Sequence, residues 1–138
     1  MEVLAKNQDI IEQSLERAAE VMDDFSGAVY KRYFDLQPDA EDLMSHLDDI
    51  VRGKMVAEII RLLFVEDYHQ EADYLRFETK THADSYFVKE DMYPDLLTAV
   101  VASVKEGAGD IWEASVAQAW QKKQEDLLAA LRFHIVPV

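Results

Sequence analysis

The chain has 138 residues, enough for one domain with one sizeable core, and its 49% hydrophobic and 30% charged residues describe a folded globular protein. Its 28 acidic against 14 basic residues give a net charge of −14, which speaks against the clustered cations of nucleic-acid binding and against attraction to anionic membranes. There is no cysteine, so disulfides, zinc–thiolate sites, iron–sulfur clusters and thiol nucleophiles are excluded.

Met1 to Asp9 lacks a basic-then-apolar leader pattern, and Glu58 and Arg61 interrupt the apolar run Met55–Val65, so a soluble cytoplasmic chain with no membrane span is expected. The acidic surface reads first as a solvated, self-repelling one, and second as a docking face for a basic partner.

In chain order, Asn7 can cap a helix whose apolar face is Ile11, Leu15, Ala18 and Met22. Phe25, Val29, Tyr33 and Leu36 mark a second helix. Pro38 suits the first turn of a short one over Asp39 to Met44. Asp48 to Val65 predicts a longer helix with a wide apolar stripe: Val51, Met55, Ile59 and Leu62, flanked by Val56, Ile60 and Leu63. A stripe that wide implies burial on more than one side. Glu71 to Ser85 reads as a weaker helix. Tyr93, Leu97, Val100 and Val104 mark another, with Pro94 in its first turn and Gly107 and Gly109 breaking it. The last helix is expected from about Asp110 to Phe133, with Trp112, Val116, Trp120, Leu127 and Leu131 inward. No alternating strand pattern persists, and no linker or repeat divides the chain. The expectation is one all-α domain over residues 1–138, of about six to eight helices.

Four segments stand in an order that resembles bacterial single-domain globins and the haem domain of flavohaemoglobins. VYKRYFDLQPDAEDLM (Val29–Met44) is similar to the stretch that leads through the second helix and a proline to the corner above the haem. RGKMV (Arg52–Val56) resembles the distal helix, with a polar residue facing ligand and an apolar one four residues on. HADSYFVKEDMYPDLL (His82–Leu97) resembles the proximal region: a ligating His, an apolar residue six on, an aromatic eleven on. YPDLLTAVVASVKEGAGDIWEASVAQAW (Tyr93–Trp120) is similar to the last two globin helices. The resemblance spans roughly residues 8 to 132, and its specificity lies in order and spacing rather than in any one short motif.

The resemblance implies haem b with His82 as the axial iron ligand. In a helix, the carbonyl of Glu78, or the carbonyl or hydroxyl of Thr79, lies about one turn back and can accept from its other ring nitrogen. Taken alone, without the surrounding pattern, His82 reads as a surface or buried structural histidine rather than a ligand. Tyr30, fourteen residues before Met44, matches a distal tyrosine whose phenol donates to the outer atom of bound dioxygen; otherwise it is an interface tyrosine. Arg52 matches the distal polar position, where it can donate to ligand, meet a propionate, or pair with Asp48 or Asp49 in solvent. Met44, Val56, Val88 and Tyr93 are implied haem-wall contacts, each readable also as ordinary core. His46 falls near the pocket mouth, where it can meet a propionate or swing in as a sixth ligand. Met44 departs from the family, which places Phe at that corner.

The function so implied is reversible binding of a diatomic gas, dioxygen first, with nitric oxide detoxification if a separate reductase supplies electrons. The chain has no room for a flavin or NAD domain, and enzymatic activity stays open. The alternative is a haem-free globin-like sensor or protein-interaction domain, toward which Met44 points. Oligomeric state is not legible.

Overall fold

In the computed structural model, which describes residues 2–65, 68–86 and 92–134, all regular structure is helical. The helices are α1 (Glu2–Val21), α2 (Phe25–Leu36), α3 (Pro38–Leu43), α4 (Asp49–Leu63), α5 (Ala72–Tyr86), α6 (Met92–Ala108) and α7 (Ala114–His134). Short 3-10 turns cover Tyr68–Glu71 and Gly109–Ile111. Among the described residues no helix is long and apolar enough to cross a membrane.

α6 is the hub, packing on α1, α2 and α7. Its Ala99, Val100, Ser103 and Val104 are completely buried. Small residues let neighbours approach closely: a Cβ on Gly107 would stand 2.7 Å from the Ala18 backbone of α1. Gly107 therefore lies inside α6 as a packing residue. The chain leaves the helix at Gly109, whose φ of +56° suits glycine. On the α2 side, Arg32 donates to the Ser103 hydroxyl at 3.0 Å and pairs with Glu106, and Gln37 donates to Asp95 at 2.8 Å.

α1 buries Ile11, Leu15 and Ala18 as its periodicity predicts, but it begins at Glu2, so Asn7 lies within the helix and does not cap it. Trp120 of α7 is fully buried, and its indole N–H donates to the Ser14 hydroxyl at 2.7 Å, which in turn donates to the Ile11 carbonyl. α7 starts four residues later than expected, after the 3-10 turn at Gly109–Ile111. Trp112 thus sits in the connection and stacks on Trp120 with ring centroids 6.4 Å apart.

α2 is capped by Asp24, and Gln37 separates it from α3, where Pro38 occupies the first turn. α4 is capped by Asp48, whose carboxylate accepts the Val51 amide at 2.9 Å. At the far end of α4, Tyr68 donates to the Leu62 carbonyl, and the buried Lys123 of α7 donates to the Val65 carbonyl with its ammonium 5.1 Å from the Tyr68 ring. Arg61 bridges Glu58 and Glu71 at 2.7 Å each, beneath the Tyr74 ring. These contacts hold α4 against the turn that leads into α5.

Two glycines separate packing from propensity. Gly107→Ala should destabilise the protein by about 1–3 kcal/mol, because α1 and α6 must part to admit the methyl group. Gly53→Ala, in mid-α4 with nothing within 4 Å of the new Cβ, should stabilise it by about 0.5–1 kcal/mol. Denaturant unfolding of the two variants measures both; equal effects would contradict the close crossing.

Candidate functional site

A cavity of about 370 Å³ opens between α2, α3, the corner at residues 44–48, α4, α5 and the first turns of α6. Each element contributes residues at helical spacing. α4 offers Val51 and Met55, one turn apart; α5 offers Glu78 and Thr81; α6 offers Met92, Tyr93 and Leu96. The corner brings Met44, His46 and Leu47, after Leu43 of α3. Three of the chain's five methionines stand in this wall, giving it a polarizable, adaptable lining.

The polar groups are few. Tyr30 is 5% exposed, and burial pushes its hydroxyl up to about 12 against the opposing pull of the Arg52 charge. The Tyr30 hydroxyl donates to the Arg52 carbonyl at 3.0 Å. Tyr93 is likewise pushed up to about 12, by burial and then by the Glu78 carboxylate. Both phenols keep their proton near neutral pH, and that of Tyr30 is donated to the Arg52 carbonyl.

Of the residues expected at the site, Tyr30, Met44 and Tyr93 line the cavity, and so does His46 at the corner. His82 belongs to α5, and its side chain lies outside the described residues, as does Val88 altogether. Arg52 and Val56 do not line the cavity. The Asp48 cap starts α4 in a phase that turns Val51 and Met55 toward it. One residue along a helix is about 100° of rotation, so Arg52 and Val56 face elsewhere.

Arg52 packs over Phe34 and Tyr30 of α2, with its guanidinium carbon 5.2 and 5.7 Å from the ring centroids, and donates to the Met44 carbonyl at 2.9 Å. Val56 is buried and lines a second cavity of about 380 Å³ beside Leu15, Phe25 and Gly53. Sequence reasoning passed over Val51, Met55, Leu47, Met92 and the cavity-facing role of Tyr33. The signal for Val51 and Met55 was the apolar stripe of α4, in which they are the leading positions.

No family model matches the chain, and no curated protein matches it in sequence. Among solved structures, a Pseudomonas aeruginosa PAO1 protein described as structurally highly homologous to a human hemoglobin superposes with a TM-score of 0.77. The match covers 95% of this chain and 99% of that one at 18% identity, a likeness of fold. The chain adopts the all-α globin fold.

Proposed function

We propose that this cavity holds haem b, with His82 as the axial ligand, and that the chain reversibly binds a diatomic gas, dioxygen first. The observation that carries the proposal is an apolar cavity walled by α4 on one side and by Glu78 and Thr81 of α5 on another, in a globin fold. Residue 82 follows Thr81 directly and stands one helical turn beyond Glu78.

The described residues fit such a group. Leu43, Met44, Leu47, Val51, Met55, Met92 and Leu96 suit the faces of a flat apolar ring. The stripe of α4 is wider than its neighbours cover: Val51 remains 38% exposed and Met55 half-buried. An imidazole, His46, stands at the corner, where it can meet a ring carboxylate. When bound, haem iron supplies an open coordination position for a small gas. Around it the protein contributes exclusion of water, a tyrosine donor at Tyr30, and size selection by Val51 and Met55. Nitric oxide detoxification, with electrons from a separate reductase, is a further step open to such a site.

A haem-free interaction domain is the second reading, favoured by Met44 at the corner and by a Tyr30 hydroxyl already engaged with backbone. Absorption spectra with and without added hemin separate the two: a Soret band near roughly 400–420 nm supports the first, and no uptake supports the second.

His82→Ala should abolish stable hemin uptake or leave a readily extracted haem; an unchanged spectrum and unchanged retention would remove His82 from the iron. Tyr30→Phe should speed dioxygen dissociation by about ten-fold, the worth of a hydrogen bond to a charged acceptor, and alter carbon monoxide dissociation far less. Equal effects on both gases would assign Tyr30 to shape alone. Met44→Phe should slow hemin transfer to a scavenger protein several-fold, through about 1 kcal/mol of added ring stacking; unchanged or faster loss would mean that the wall is shaped for a thioether.

A further inference from the structure

We propose that Arg52 is a positioning residue for this cavity, a releasable latch that holds the corner at residues 44–48 against α2 and fixes the Tyr30 hydroxyl. Three contacts define it. One guanidinium N–H donates to the Met44 carbonyl at 2.9 Å. The guanidinium carbon stands over Phe34 and Tyr30, 5.2 and 5.7 Å from their ring centroids. The Arg52 carbonyl accepts the Tyr30 hydroxyl at 3.0 Å. A single residue thereby ties the corner, α4 and α2 together on the wall side of the cavity.

Apart from the apolar packing of Leu43 and Met44 against the core, the corner is tied mainly by local hydrogen bonds. Among the described residues, its other hydrogen bonds reach no more than four residues along the chain: Met44 to Ala40, Ser45 to Asp42, Leu47 to Met44, and Arg52 and Val51 back to Asp48. The Arg52 bond spans eight residues and is the one that crosses from α4 to the end of α3.

The latch is also built to let go. Arg52 Nε is buried without a hydrogen-bond partner, and such a group gains a water partner when the side chain swings outward. Closure therefore sets a charge-assisted bond and two ring contacts against one orphaned donor. At about 370 Å³ the cavity sits at the small end of ligand pockets, so an outward shift of the corner would ease the entry of a large planar occupant. Among the described residues the corner, which carries Met44, His46 and Leu47 of the lining, has one hydrogen bond to another helix, that from Arg52. Its use as the entrance rests on the haem proposal; the latch itself does not.

Hydrogen exchange on the full chain without hemin tests the latch. In Arg52→Gln the Ser45 and Leu47 amides should exchange about ten-fold faster, as expected for loss of a charge-assisted tie, while the Val100 and Val104 amides of α6 keep their wild-type rates. Arg52→Lys keeps the charge but not the planar fork and should fall between; it carries the same test if Arg52→Gln does not fold. Unchanged corner exchange overturns the latch, and so does equal acceleration in α6, which would make Arg52 a residue of general stability. In stopped-flow mixing, the released variants should take up hemin several-fold faster. A loosened corner with unchanged uptake overturns the entrance role, whereas failure of the wild type to bind hemin overturns the haem proposal and leaves the latch standing.

Discussion

The close burial of α6 is the constraint on which the other helices depend. Ala99, Ser103 and Gly107 recur at four-residue intervals along it, and small side chains at that spacing form one shallow face. α1 crosses at Gly107, where even a methyl group meets the Ala18 backbone, and α2 is bound alongside through Arg32 and Gln37. The inward face of the C-terminal half of α6, Ser103, Val104, Gly107 and Ala108, is thus buried. The first turns of the helix, with Met92, Tyr93 and Leu96, extend past that packing and become a wall of the cavity. The same helix that anchors the core supplies one side of the site, so the site stands on a rigid element.

The opposite side depends on phase rather than packing. α4 is apolar around much of its circumference and has two cavities to face: Val51 and Met55 address one, while Gly53, Val56, Ala57 and Ile60 address the other. Asp48 decides between them by capping the helix at Val51. A start one residue later would turn α4 by about 100° and bring a cationic side chain into the apolar space, at the cost of desolvating it. With Arg52 turned aside, its charge is spent on two aromatic faces and a backbone carbonyl.

Much of the fold was legible because the helices are amphipathic and their breaks are marked. Ile11, Leu15 and Ala18, the Pro38 start and the Asp48 start all follow from periodicity and capping chemistry. The errors fall where a local signal does not decide the outcome. Asn7 is a good cap in isolation, yet α1 runs through it to Glu2. Gly107 looks like a breaker but is a crossing point, visible only with Ala18 opposite. Trp112 keeps helical spacing to Trp120 while lying outside the helix, because stacking of the two rings holds it in the connection. The resemblance to globins brought forward Tyr30, Met44 and Tyr93, which line the cavity, and Arg52 and Val56, which do not. A register one residue off leaves the pattern of polar and apolar residues almost unchanged and changes which of them face the cavity.

The remaining polarity of the cavity bears on what it can select. The Tyr30 hydroxyl already has an acceptor in the Arg52 carbonyl, so donating to a ligand means giving up one hydrogen bond for another. A neutral bond of this kind contributes about 0.5–1.5 kcal/mol, and one to a charged acceptor about 1.5–3 kcal/mol. The exchange is favourable only when the ligand's outer atom carries appreciable negative charge. A weakly polar ligand would leave Tyr30 on the backbone and meet a wall of thioethers and aliphatic carbons. Discrimination by Tyr30 in the proposed site then arises from competition for its one proton. The backbone of α4 sets the threshold, and the position of Arg52 determines whether that backbone acceptor is within reach.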